Sequence, residues 1–531
     1  MIDDALRDEW HRVGAHGTRT LADVMRDGFE ANASSIKVYR SAERPRQASL
    51  GEIDQTGRRL ASSLWDLGLR PGDAIALQLP NWFENDVTIR AAVQLGLVIV
   101  PVVHIYGPTE LSFIVHHSGA KALVVPDHFR GIDFAERVAQ LTGTPALEHV
   151  ITAGKTVAPG ALSWDELARH GRTEAPEPTM RADDVCAIVY TSGTTSDPKG
   201  VQHTHNTLLA ERGGFANIST GPRSSLPSLQ LFPAGHIASA LGSIFLFASS
   251  TTTVAFDTFG PDLVIRAIEE FQLAATAGPP VFLASILDLI ESGERDLSSL
   301  TSFMVGAASV PGHLVERADR LGVKAFRCYG SSEHPTVTSS GPGHPLEVRA
   351  MTDGPCLPNN RVRIVDDGGR DVPLGTQGEI VTLGPELFVG YREPSMNEDA
   401  FLPGGWFRTG DLGLLDTDGN LTVTDRKKDI IIRGGENISA KEVEDILARH
   451  PSVFDSAVVA MPDPRLGERV CAFVVLRDGC ELGMEDIRAH FAEAGVARQK
   501  TPERFETVDE LPRTSTGKVQ KNELRARLRP S

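Results

Sequence analysis

Residues 185–190 form an apolar run that passes directly into Tyr190-Thr191-Ser192-Gly193-Thr194-Thr195-Ser196-Asp197-Pro198-Lys199-Gly200. Few local structures accept that order. A short apolar run bounded by a Gly/Ser/Thr stretch reads as a strand with both faces covered. At its end the glycines let the backbone approach phosphate oxygens, the hydroxyls donate hydrogen bonds, and Lys199 adds charge. The run is not a Walker A loop, which closes on Gly-Lys-Ser/Thr, whereas here the order is Pro198-Lys199-Gly200. On its own, a mobile surface loop would have the same composition, so the rest of the chain decides between them.

The rest of the chain has the rhythm of an α/β layer. Leu60, Leu64 and Leu67 recur at helical spacing over 53–67, Gly68 stops the helix, and Pro71-Gly72-Asp73 opens a strand over 74–79. The same order recurs over 110–125, with a strand at 122–125. Residues 145–178 read as a connection between two layers, and further strands are expected at 185–190, 325–329, 362–365 and 379–383. Around 421–429 a strand runs into Asp425-Arg426-Lys427-Lys428-Asp429, a charged segment that a compact core would not bury. The expectation is a large domain over 1–424, a hinge at 425–429 and a small C-terminal domain over 430–531. Ser439 and Glu442 predict a capping box for a helix carrying Val443, Ile446 and Leu447 and ended by Pro451.

With 531 residues, 41% of them hydrophobic, the chain is long enough for two domains and a deep cleft. A net charge of -17 excludes the basic footprint of a general nucleic-acid binder. Its 5 cysteines show no CxxC spacing, so neither a disulfide framework nor a zinc site is indicated. The acidic start lacks the pattern of a signal peptide, 91–103 is too short and interrupted to span a bilayer, and the end is not Ser-Lys-Leu. These features lead to the expectation of a cytoplasmic protein without an integral membrane segment.

Three further motifs carry chemistry. Tyr329-Gly330-Ser331-Ser332-Glu333 presents an aromatic face, hydroxyls and a carboxylate on one turn after a strand. Trp406-Phe407-Arg408-Thr409-Gly410-Asp411-Leu412 places an acid after a glycine turn, where it can accept both hydroxyls of a ribose. Pro512-Arg513-Thr514-Ser515-Thr516-Gly517-Lys518-Val519 puts a lysine on a Ser/Thr/Gly loop near the C-terminus, from which it can enter a closed site. Singly, each could be a turn or a solvated charge. His203-Thr204-His205 lacks a third ligand at useful spacing for a metal.

Together and in this order, the motifs resemble the adenylate-forming superfamily, which includes acyl-CoA synthetases, over nearly the whole chain. The resemblance implies layered α/β sheets in a large N-terminal AMP-binding domain and a small mobile α+β C-terminal lid. It implies that Thr191, Ser192, Gly193, Thr194, Thr195 and Lys199 hold ATP phosphates, and that Tyr329 stacks on adenine. Gly330 and Ser331 would belong to the same nucleotide-binding turn, Ser332 would contact phosphate or the substrate carboxylate, Glu333 with Thr195 would hold Mg²⁺, Asp411 would take the ribose hydroxyls, and Arg426 would contact ribose or phosphate. Lys518 would stabilise charge on the α-phosphate. His236, in Leu231-Phe232-Pro233-Ala234-Gly235-His236, would sit beside the substrate carboxylate. Gly434, Gly435 and Glu436 would meet coenzyme A after the lid turns about Lys428. Two positions depart from the common pattern: Ser196 replaces a usual glycine and Ser332 a usual threonine.

The implied function is an ATP-dependent carboxylate–CoA ligase working through an acyl adenylate, with ATP, Mg²⁺ and coenzyme A as cofactors and co-substrate. Residues 231–245 contain no acid to pair with an ammonium, so a plain carboxylic acid is expected rather than an amino acid. The wording around 431–439 is similar to that of bacterial ligases for medium-chain, cyclic or steroid-derived acids. The short stretch after Lys518 favours a diffusible thiol over a fused carrier. Dimers occur among relatives, which leaves a homodimer open. The alternatives are a stand-alone acyl-AMP ligase that loads a carrier protein and a non-catalytic nucleotide-binding relative.

Overall fold

The computed structural model describes residues 4–191, 198–215, 228–248, 250–258, 260–293, 295–306, 308, 310–514 and 517–528. The expected Ser192, Gly193, Thr194 and Thr195 contacts lie outside these residues.

A large sheet of eight described strands forms the first layer. At its centre Val185–Thr191 pairs in parallel with Val98–Pro101, which pairs with Ala74–Leu77, then Ala120–Pro126 and His149–Ala153. On the other side Val185–Thr191 pairs antiparallel with Lys199–Thr204, with Thr191 opposite Lys199. The central strands are continuous apolar runs because helices cover both faces. Helices Leu50–Asp66 and Phe83–Leu95 pack on one side, burying Leu60, Leu64 and Val87. Each expected strand falls within one or two residues of its observed bounds.

Two further sheets complete the frame of the site. Ala275–Gly278, Ser302–Val305 and Lys324–Tyr329 run parallel and end at the same edge. An antiparallel sheet contains Gly378–Leu383, Trp406–Leu415 and Leu421–Arg426. The smaller C-terminal sheet pairs Val453–Asp463 with Gly467–Leu476 over a separate core of Val443, Ile446, Val458 and Phe491. Among the described residues no helix is long and apolar enough to cross a membrane.

Two local expectations need correction. The charged segment at 425–429 is not wholly exposed, since Asp425 and Asp429 are buried. Arg525 Nη2 lies 2.5 Å from Asp429 Oδ1, and the backbone N–H of Lys441 donates to Asp425 at 3.3 Å. Burial pushes the Asp429 pKa up, but Lys521 and Arg525 outweigh it and hold the group below its ordinary value. The capping box forms only in half. Ser439 accepts from the Glu442 N–H at 3.0 Å, while the Glu442 carboxylate accepts from Lys500 at 2.6 Å.

Candidate active site

The end of strand Lys324–Tyr329 turns sharply because Gly330 permits it: a Cβ there would lie 1.8 Å from the Pro335 carbonyl oxygen. The Ser331 N–H donates to the His334 carbonyl at 2.9 Å, and His203 Nε2–H donates to the Ser332 carbonyl at 2.8 Å. His203 is therefore a buried support for this turn. Burial lowers its pKa to about 4, so it stays neutral. His205 accepts from the Leu21 N–H at 3.2 Å, which gives the second histidine of the pair a structural partner as well.

Ser331, Ser332 and Glu333 all line a cleft of ≈ 2600 Å³ that runs between the large domain and the C-terminal domain. Tyr391 donates its hydroxyl to Glu333 Oε1 at 2.8 Å, and Lys199 Nζ lies 5.1 Å from the centre of the Tyr391 ring. Lys199, Tyr391 and Glu333 thus come together although they lie far apart in the chain. Sequence reasoning missed Tyr391. Its only signal is an aromatic residue beside Gly390, whose φ of 133° turns the chain.

Asp411 is oriented by its own strand. Gly410 adopts φ 70°, and the Asp411 N–H donates to Thr409 Oγ1 at 3.1 Å. This turns the carboxylate inward, where Oδ2 accepts from the Tyr329 hydroxyl at 2.8 Å and Oδ1 lies 3.0 Å from Arg426 Nε. Three expected nucleotide residues therefore meet at one carboxylate, through a hydrogen bond from Tyr329 and an ion pair with Arg426.

Lys518 reaches the same cleft from the C-terminal domain. Thr514 N–H donates to Lys518 O at 2.8 Å, and Gly517 N–H to Thr514 O at 2.9 Å. Gly517, at φ 82°, packs so that a Cβ would lie 3.5 Å from Pro279 of the large domain. Lys518 is half-buried, but both domains surround its ammonium. That desolvation, with Arg426 adding repulsion, lowers its pKa to about 7 although Asp411 opposes the shift.

His236 caps helix Ile237–Ile244, its Nδ1 accepting from the Ala238 N–H at 3.2 Å, and its ring stacks on Phe232 at 5.2 Å. Desolvation and then the Lys518 charge lower its pKa to about 4. The neutral ring with Nδ1 as acceptor carries its proton on Nε2, as a donor for a carboxylate in the cleft.

Gly434, Gly435 and Glu436 are not brought to this site. They form the exposed turn of the hairpin Ile431–Arg433 and Glu436–Ile438, with φ of 59° and 90° at the two glycines, and none of the three lines the cleft. In this arrangement the C-terminal domain presents Lys518 to the cleft and holds the hairpin turn outside it.

The AMP-binding enzyme family matches residues 30–392, and the AMP-binding enzyme C-terminal domain matches residues 442–518. The chain is 32% identical to the medium-chain fatty-acid–CoA ligase of Escherichia coli (strain K12), over 99% of this chain and 93% of that relative. It is likewise 32% identical to a salicylyl-CoA synthase / salicylate adenylyltransferase of a Streptomyces species, over 98% and 95%. Its structure is similar to that of the anthranilate CoA ligase AuaEII in complex with anthranoyl-AMP, with a TM-score of 0.87, 25% identity and coverage of 96% and 97%. The matched family, the two-domain architecture and the length of the alignments agree: the chain belongs to the AMP-binding family of adenylate-forming enzymes, among the acid–thiol ligases.

Proposed function

We propose that the chain joins a medium-chain, cyclic or steroid-derived carboxylic acid to coenzyme A, through an acyl adenylate made from ATP. The observation that carries this reading is the seating of Lys518 in the cleft beside His236, Asp411 and Arg426. A carboxylate oxygen forms a bond to the α-phosphorus while the bond to the β-phosphate oxygen breaks, and pyrophosphate leaves with the electron pair. No general base is needed, because the acid is already an anion. Lys518 neutralises charge that develops on the α-phosphate, and His236 Nε2–H holds the carboxylate in line. Asp411 exchanges its Tyr329 and Arg426 partners for ribose hydroxyls, and Tyr329 offers its ring to adenine.

Glu333 suits Mg²⁺, since a half-buried carboxylate on the cleft wall supplies the hard oxygen such an ion takes. When bound there, the ion would neutralise phosphate charge. In the second step the C-terminal domain turns about 425–429, withdrawing Lys518 and presenting Gly434, Gly435 and Glu436 to the thiol. The sulfur forms a bond to the acyl carbon as the bond from that carbon to the phosphate oxygen breaks, AMP leaves with the electron pair, and the thiol proton passes to solvent.

Small residues on the cleft wall support the choice of acid. Helix Ile237–Ile244 exposes Ala238 and Gly242, one turn apart, and Ala277 and Gly278 line the cleft as well. Glu211 also lines it, but burial beside Glu386 raises its pKa, so it is a poor counter-ion for an ammonium. The test is release of AMP and pyrophosphate from ATP with fatty, cyclic, aryl and steroid-side-chain acids, with and without coenzyme A. A thioester seen by mass spectrometry, formed only when acid and coenzyme A are both present, is the expected result. Accumulation of acyl-AMP regardless of coenzyme A would turn the search to a carrier-protein acceptor.

A further inference from the structure

Outside the cleft, His11, His16 and Asp183 converge on one point of the surface. One possible ligand atom from each lies within 4.8 Å of the others. His11 lies in the last turn of helix Asp4–Arg12, His16 follows on the next loop, and Asp183 stands just before strand Val185–Thr191. Sequence spacing could not have joined them, because the third residue lies far along the chain.

The histidine at the centre is already prepared. His16 is only 7% exposed, and its Nε2 lies 2.8 Å from the carbonyl oxygen of Pro385. A carbonyl can only accept, so Nε2 carries the proton and Nδ1 keeps its lone pair. An imidazole that donates one N–H to a backbone carbonyl and offers the other nitrogen has the arrangement of a metal-bound histidine. The carboxylate is held in the same manner. Asn206 Nδ2 donates to Asp183 Oδ1 at 2.8 Å, and the Gly17 N–H fixes Asn206 Oδ1 at 2.9 Å. One Asp183 oxygen is thus anchored and the other left for a ligand.

We infer that His11, His16 and Asp183 bind one divalent transition-metal ion of the zinc type, which ties the N-terminal segment to the root of the strand leading into the phosphate loop. Two imidazoles and one carboxylate suit zinc, cobalt or nickel, and do not suit magnesium or calcium, which take oxygen donors. Metal–ligand bonds of about 2.0–2.1 Å set donor atoms roughly 3.3 Å apart in a tetrahedron. The ligand atoms lie within 4.8 Å of one another, so the exposed side chains of His11 and Asp183 close the site by shortening those separations by up to about 1.5 Å. Arg7, one turn earlier on the helix, contributes an opposing charge and is partly offset by Asp4, 3.8 Å away. A water completes the coordination shell.

The test uses the full-length, tag-free protein stripped with chelator and free of nucleotide. Zn²⁺ is titrated in competition with a chromophoric chelator, in the presence of millimolar Mg²⁺. The wild-type chain takes up one equivalent that Mg²⁺ does not displace, and its melting temperature rises. His11→Ala and Asp183→Asn each weaken that binding by at least ~10-fold and abolish the thermal shift. Both positions are exposed, and asparagine at 183 retains the oxygen that accepts from Asn206, so both variants fold. Equal Zn²⁺ affinity in the wild type and both variants, or no bound equivalent in the wild type, overturns the inference.

Discussion

Asp411 and Arg426 face each other across adjacent antiparallel strands, with Arg426 Nε 3.0 Å from Asp411 Oδ1. Tyr329 donates to the other oxygen at 2.8 Å. The carboxylate is therefore positioned before a nucleotide arrives, and its charge balances a guanidinium. Asp411→Asn keeps the shape but removes the charge. Losing a charge-assisted hydrogen bond costs about 1.5–3 kcal/mol, so the KM for ATP rises roughly 10- to 100-fold while that for the acid changes little. Steady-state kinetics with each substrate varied in turn checks this, and an unchanged ATP KM would contradict the ribose role.

Lys518 sits in the cleft while Gly434, Gly435 and Glu436 lie outside it. On the proposed route the two half-reactions draw on different faces of the C-terminal domain. Lys518→Ala slows pyrophosphate formation by ~10²–10³, the usual cost of one well-aimed donor. Conversion of supplied acyl-AMP and coenzyme A to thioester stays near the wild-type rate. Equal loss of both steps would sink this division.

The pKa of Lys518, about 7 without nucleotide, sets a pH profile. The cation is the competent form. In the free enzyme it is present below about pH 7 and lost as the pH rises through that value, so kcat/KM for ATP in adenylate formation falls on the alkaline side. Bound phosphates favour the ammonium, which moves the corresponding limb in kcat to higher pH. Lys518→Arg, less active at its optimum, loses the alkaline limb because a guanidinium does not deprotonate there. A limb that persists unchanged in that variant would assign the titration to another group.

Gly242 has room around it, since an added Cβ would meet nothing closer than Gln230 at 3.5 Å. A leucine there keeps the helix and fills part of the cleft. Gly242→Leu should lower kcat/KM for bulky cyclic or steroid-derived acids by 10-fold or more while short linear acids keep most of their rate. Competition assays with paired acids measure the ratio. Equal effects on both classes would place the acyl group elsewhere.

The apolar central strands were legible because burial on both faces leaves one composition available, and the observed Val185–Thr191 lies within a residue of the expected run. The motif residues Tyr329, Asp411 and Arg426 were legible as candidates. Their convergence on the Asp411 carboxylate was not, because the Arg426 ion pair depends on the register of Trp406–Leu415 against Leu421–Arg426. The burial of Asp425 and Asp429 was hidden for a similar reason: Lys521 and Arg525, the cations that make Asp429 tolerable, lie near the other end of the C-terminal domain. Glu442 shows the limit of a local rule. Its capping position was correct, but Lys500 offers its carboxylate a full positive charge, and that partner lies 58 residues away.

The most direct measurement follows the oxygen of the acid. An acid labelled with ¹⁸O in both carboxylate oxygens is converted in the presence of ATP and coenzyme A, and AMP and the phosphate products are analysed by mass spectrometry. Attack of the carboxylate on the α-phosphorus, followed by thiolysis at carbon, leaves one labelled oxygen in AMP and none in pyrophosphate. Label appearing in inorganic phosphate or pyrophosphate, or thioester formed with unlabelled AMP, would contradict an acyl-adenylate route through this cleft.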